Sequence, residues 1–126
     1  MANKIYDNHD PAYDHKATAG AAIVANDMVI RDSTNWIPCT DGTTCEGIAI
    51  TAASASGVEF IVCRQPGLRM LITGSLAVNA QAYVLTAQSI DAGTAGNKSC
   101  GVVDDTIGTN NVVRMTFPAN DVFTHA

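Results

Sequence analysis

The apolar positions of this chain fall into short runs of strand length, punctuated by Gly, Pro, Asn, Asp and Ser, and no long segment carries helical spacing. Met28-Val29-Ile30-Arg31 leads into the turn-forming Asp32-Ser33-Thr34-Asn35. Trp36-Ile37-Pro38 predicts an edge strand, because proline has no N–H to give to a ladder. Asp41-Gly42 predicts a turn, Gly47-Ile48-Ala49-Ile50-Thr51 a strand, and Ser56-Gly57 the end of an Ala/Ser loop. Between Val58 and Cys63 the alternation sets Val58, Phe60 and Val62 on one face and Glu59, Ile61 and Cys63 on the other. That second face is only partly polar, which predicts a second burial surface, either an opposite sheet edge or a subunit contact. After Pro66-Gly67, the residues Leu68, Met70 and Ile72 alternate with Arg69 and Leu71. Tyr83-Val84-Leu85 and Gly101-Val102-Val103 predict further strands, and Gly108-Thr109-Asn110-Asn111 a hairpin turn. In the last strand Val113, Met115 and Phe117 face inward, with Arg114 and Thr116 outward; Ala119 to Phe123 is a short tail with an apolar anchor. Val78 to Ala82 reads as a single helical turn. The pattern predicts an all-β protein: a compact small sandwich or barrel-like body of short strands.

The runs come twice in the same order, roughly 55 positions apart. Gly20 and Gly74, Val24 and Val78, and Gly47 and Gly101 keep one offset, and the last strand slips by one residue. Residues 20–126 are therefore expected to form one β domain with an internal repeat of 20–73 and 74–117. Duplication and the regular grammar of a small β body both account for it.

Residues 1–19 differ. Ile5-Tyr6-Asp7-Asn8-His9-Asp10-Pro11-Ala12-Tyr13-Asp14-His15-Lys16 has neither strand nor helix periodicity and gathers charge, Pro and Asn. It is read as an extended N-terminal arm, with Ile5, Tyr6, Pro11, Tyr13 and His15 as candidate attachment residues. Ile61, Arg69, Leu71 and Arg114, on the outward faces of their strands, are the candidate subunit contacts.

Composition narrows the function. The 126 residues suffice for one domain with a modest core, and sparse charge suggests that much of the surface is covered in the working state. The net charge is −5, and the seven basic residues, Lys4, Lys16, Arg31, Arg64, Arg69, Lys98 and Arg114, are scattered along the sequence. Nucleic-acid binding, which needs a basic stripe, is not expected. No apolar run approaches the roughly 20 residues that cross a bilayer, and the start is polar, so no membrane partner and synthesis in the cytoplasm are expected. Cys39, Cys45, Cys63 and Cys100 show no C-x-x-C spacing and are read as buried free thiols.

Catalytic chemistry is thinly represented. Glu46 and Glu59 have no partner at a recognisable spacing, no G-x-S-x-G elbow occurs, and Gly93 to Ser99 lacks the spacing of a phosphate-binding loop. His9, Asp10, Asp14 and His15 carry metal-ligand chemistry, but the arm offers no scaffold to hold them, so neither metal nor cofactor is expected. The protein is not expected to be an enzyme.

Two sets of short stretches carry a family resemblance. Val24 to Ile30, Gly47-Ile48-Ala49-Ile50-Thr51-Ala52-Ala53 and Ala55 to Val62 resemble the capsid cement proteins of tailed bacteriophages, in which a strand is followed by G-V-A, an alanine-rich turn and another strand. Gln81 to Leu85, Gly101-Val102-Val103 and the terminal strand continue the likeness. Asp41-Gly42-Thr43-Thr44-Cys45-Glu46-Gly47-Ile48-Ala49 and His15-Lys16-Ala17-Thr18-Ala19 are similar to stretches of the lambda-type head decoration proteins. The resemblance implies a non-enzymatic protein of the virion that binds the major capsid protein on the outer capsid surface, stabilises it, and self-associates as a homotrimer. The four cysteines, and Ala80-Gln81 where a Gly is common, depart from the family pattern. The competing reading is a β-sandwich binding module of a fibre, tail appendage or adhesin, using loops such as Ser89 to Ser99.

Overall fold

The computed structural model describes residues 4–5, 8–106, 112–117 and 125. Among the described residues eleven strands follow one another: β1 (Lys4–Ile5), β2 (Asp14–Thr18), β3 (Met28–Asp32), β4 (Asn35–Pro38), β5 (Gly47–Ala49), β6 (Glu59–Cys63), β7 (Leu68–Thr73), β8 (Gln81–Thr86), β9 (Ser89–Asp91), β10 (Ser99–Thr106) and β11 (Val112–Phe117). No α-helix occurs among the described residues. The Val78 to Ala82 segment is a turn rather than a helical turn: Asn79 takes a φ of 70° and Gln81 already begins β8.

The strands form two sheets of the same design. In the first the order is β2-β6-β5-β3-β4; in the second it is β7-β11-β10-β8-β9, with β1 added outside β7. Each strand of the second sheet stands where its counterpart stands in the first. Asp14 and Leu68, which open β2 and β7, are 54 positions apart, as are Gly47 and Gly101, which lie in β5 and β10. Both sheets curl until first and last strands meet in a parallel contact, Ala19 with Trp36 in one and Thr73 with Ser89 in the other. Gly20 and Gly74 lie beside these closures, where a side chain would be tight at the first and would clash at the second. A Cβ on Gly20 would press on Ile37 and Asn35, and one on Gly74 would run into the side chain and carbonyl of Ile90.

The first sheet thus takes in Asp14–Thr18, which lie within the residues 1–19 read from the sequence as an arm. β2 pairs with β6 over its whole length, from Asp14 opposite Cys63 to Thr18 opposite Glu59. It hides from pattern analysis because it is an edge strand whose His15 and Lys16 are both exposed, which removes the apolar alternation. β9, three residues long, is hidden by its brevity.

The mixed face of β6 is explained by burial on both sides of the first sheet. Val29, Ala49, Phe60 and Val62 fill its interior with Trp36, Ile23 and Ala53. Their strand neighbours Met28, Ile48 and Cys63 turn the other way and pack with Leu68, Met70, Ile72, Val84, Val103, Val113 and Met115 of the second sheet. Backbone bonds cross the same seam: Met28 N–H donates to Ala87 O at 2.9 Å and Gly42 N–H to Val84 O at 2.9 Å. Asp27, 4% exposed, is held from both sides; its Oδ1 accepts from Gln88 Nε2 at 2.8 Å and its Oδ2 from Val24 N–H at 2.9 Å.

All four cysteines are free and buried. Cys45 donates to Gly47 O at 3.2 Å and Cys39 to Thr44 O at 3.5 Å. Burial pushes the thiols of Cys45 and Cys100 up from their ordinary value, and the neighbouring Cys39 adds to the shift. The hairpin turn expected at Gly108 to Asn111 and the tail at Ala119 to Phe123 lie outside the described residues, as do the side chains of Arg114 and Phe117.

Two measurements check this packing. A Cβ on Gly101 would meet the Thr116 carbonyl and the Met115 methyl, and the first of these is backbone that cannot rotate away. Gly101→Ala should lower the unfolding free energy in urea by about 3 kcal/mol; an unshifted midpoint would refute the close approach of β10 and β11. The buried thiols set a pH limit. Below 9.0 both folded and unfolded states hold these protons; above it the unfolded chain releases them while the folded one retains them. Urea midpoints should therefore fall as pH rises beyond about 9, and Cys100→Ala should flatten that fall.

Candidate attachment surface

The segment before β2 is stitched to the connection between β6 and β7. Asn8 Nδ2 donates to Gly67 O at 2.9 Å, and its Oδ1 accepts from Arg69 N–H at 2.8 Å. Gln65 reaches back with both ends of its amide: Nε2 donates to Asn8 O at 2.7 Å, and Oε1 accepts from Asp10 N–H at 2.7 Å. Arg64 N–H donates to Tyr13 O at 3.2 Å. A 3-10 turn at Pro11–Tyr13, capped by the Asp10 carboxylate on Ala12 N–H, reverses the chain into β2. Pro at the first position of the turn loses nothing, since its missing N–H would find no partner there.

This docking spreads the candidate arm residues over the surface. Pro11 is exposed, Tyr13 is 46% exposed, and His15 is exposed on β2. Ile5, in β1, pairs through its backbone with Met70 of β7; its side chain and the whole of Tyr6 lie outside the described residues. Of the candidate subunit contacts, exposed Arg69 and half-buried Leu71 share the outer face of β7, with Arg114 in register opposite Leu71 on β11. Ile61 is elsewhere, half-buried on β6 near Lys16, Thr51 and Glu59.

Sequence reading missed the feature that the fold assembles. β2 and β4 touch only near Ala19 and Trp36, and the wedge beyond that contact is a cleft of about 470 Å³. His15 and Lys16 line one wall, Arg31 and the hydroxyl-bearing Ser33 and Thr34 the other, with Arg64 and Trp36 between them. Both guanidinium carbons stand 5.5 Å from the Trp36 ring centroid, within cation–π range. Three of the seven basic residues thus meet at one site in a chain of net charge −5, and no carboxylate is among the lining residues. The signal was present in the sequence only as Arg31 and Arg64 flanking strands; the pairing of β3 with β4, and the position of Arg64 after β6, bring them to one indole.

The cleft suits an anionic, extended ligand. Its walls offer three permanent cations and hydroxyl groups, and the aromatic ring gives an apolar floor. Trp36 is the one tryptophan of the chain, so it reports on the cleft directly. Titration with an acidic peptide should change its emission, with an affinity that falls as salt rises, and Arg64→Glu should abolish the response. A response insensitive to both would place the ligand elsewhere.

The fold has a counterpart among solved structures. It is similar to the head fiber gp8.5 N base in bacteriophage phi29, with a TM-score of 0.59 and 10% sequence identity over 82% of this chain and 92% of that chain. At that identity the likeness is one of fold. No protein-family model matches the chain, and no curated protein matches it.

Proposed function

We propose that this chain is a non-enzymatic structural protein of a bacteriophage virion that binds the outer surface of the capsid and stabilises it, as cement and decoration proteins do. Its partners in this reading are the major capsid protein and further copies of itself in a homotrimer. It needs no cofactor, nucleic acid or membrane. The observation that carries the reading is the fold, which is similar over most of its length to the base of a phage head fiber. The resemblance of Val24 to Val62 to cement proteins supports it from the residues, independently of the fold.

The cationic cleft supplies a means of attachment. A partner's acidic strand or loop would neutralise Lys16, Arg31 and Arg64, and the open edge of β2 offers backbone groups for strand addition. Repetition of the contact over a symmetric lattice multiplies a weak single attachment. A second reading, the base of a head fibre, is favoured by what the structural neighbour is. The two differ in consequence: a cement protein raises the heat resistance of the particle, whereas a fibre base also holds a second virion protein.

Binding to purified capsids that lack the protein tests both. The triple variant Lys16→Glu, Arg31→Glu, Arg64→Glu changes exposed side chains only and should keep its circular dichroism spectrum. It should co-sediment with capsids at least about tenfold more weakly than the unaltered protein, most clearly at low salt. Failure of the unaltered protein to bind overturns the capsid assignment; equal binding of the triple variant removes the cleft from it.

A further inference from the structure

Beneath the docked segment three chemically different ligands converge. His9 Nε2 lies 2.9 Å from Asp14 Oδ1 and 3.1 Å from Oδ2. The Cys63 thiol completes the group, the three ligand atoms all lying within 4.8 Å of one another. Asp14 and Cys63 are opposite partners in the β2–β6 register, so their side chains leave the sheet on one face. His9 arrives from the other direction, returned over them by the Pro11–Tyr13 turn. His9 and Asp14 are 26% and 18% exposed in their side chains, and Cys63 is fully buried.

We propose that His9, Asp14 and Cys63 form a binding site for a zinc-like divalent cation, which clips the N-terminal segment to β6. Imidazole, carboxylate and thiolate are each ordinary zinc ligands, and three of them leave a fourth position for water or a partner's donor. The objection raised by the sequence, that residues 9 to 15 have no scaffold, is met by the fold. β2 fixes Asp14 against Cys63, while Asn8 and Gln65 fix the backbone on either side of His9. Asp10 and His15 are engaged elsewhere, one capping the turn and the other on the cleft wall. Cys63 joins the set from far along the sequence, which is why spacing alone does not find it.

The chemistry of uptake is balanced by proton release. Without metal, the His9–Asp14 contact is an ion pair or hydrogen bond beside a thiol. With metal, the thiol proton leaves and sulfur binds the cation; the proton that His9 Nε2 shares with the carboxylate passes to solvent from the imidazolium, or to Nδ1 in the neutral ring, and Nε2 and the carboxylate exchange their mutual contact for coordination. Residue 9 is then tied to residue 63, so metal affinity appears as folding stability. The inference does not rest on the proposed capsid role.

Cobalt(II) is the probe, used on the reduced full-length protein. One equivalent should produce a thiolate-to-cobalt charge-transfer band that zinc(II) then bleaches, and zinc should raise the melting temperature. Cys63→Ser should abolish the band, and His9→Gln should weaken cobalt binding by at least about tenfold. Cys45→Ala, which alters a thiol of the separate buried group, should leave the band in place. Absence of the band, its survival in Cys63→Ser, undiminished affinity in His9→Gln, or its loss in a folded Cys45→Ala overturns the proposal. Should Cys63→Ser fail to fold, the part-exposed His9→Gln decides alone.

Discussion

Each half of this protein depends on one short parallel contact that turns an open sheet into a closed one. Ala19 meets Trp36, and Thr73 meets Ser89, at the ends of the outer strands, which shortens the edges left unpaired. Five short strands can curl so tightly only if the closing strands approach without intervening side chains, and Gly20 and Gly74 satisfy that condition at equivalent points. The glycines that recur along the sequence therefore record a steric requirement of closure met twice. The shared strand order of the two units follows from the same plan.

Closure is incomplete in the first unit, and that is where its surface chemistry gathers. β2 and β4 diverge from their single contact and leave a wedge, into which β3, the β3–β4 turn and the residue after β6 project. Arg31, Arg64 and Lys16 repel one another at this cleft, and solvent screens part of that repulsion. Nothing in the packing of the unit requires their proximity, since the interior beneath is filled by Val29, Phe60 and Val62. The Trp36 ring offsets part of the repulsion through its π face. An anionic partner would remove the rest.

The sequence made the body legible and the site illegible, for one physical reason. Alternation reports burial, so strands with one buried face, such as β6, β7 and β11, stand out through Phe60, Val62, Leu68, Met70, Val113 and Met115. β2 escapes because Lys16 is exposed on one face, His15 is exposed on the other, and Ala17, which shares the face of His15, is small. The partly apolar face of β6 was readable as a second burial surface, and the other unit of the same chain covers its Cys63 end. The cationic cleft has no local signature, and of the metal-ligating group only His9 and Asp14 are close in sequence, Cys63 being distant. Both are products of register, which pairs Asp14 with Cys63 across the sheet and sets Arg64 beside the indole of β4.

The place of residues 8–18 follows from these constraints. An arm free to attach elsewhere would need to leave one edge of β6 unpaired and the first sheet open, since β2 supplies both the ladder to that edge and the approach to Trp36. Its backbone on the β6 side is committed, and its docking to Asn8, Gln65 and Gly67 sites holds the turn before it. What remains available to a partner is the opposite edge and the exposed side chains of Tyr13, His15 and Lys16, which border the cleft or lie beside it. The ladder to β6 and the open edge lie on opposite sides of this one strand, so a partner that added a strand here would use the edge that the closure leaves open.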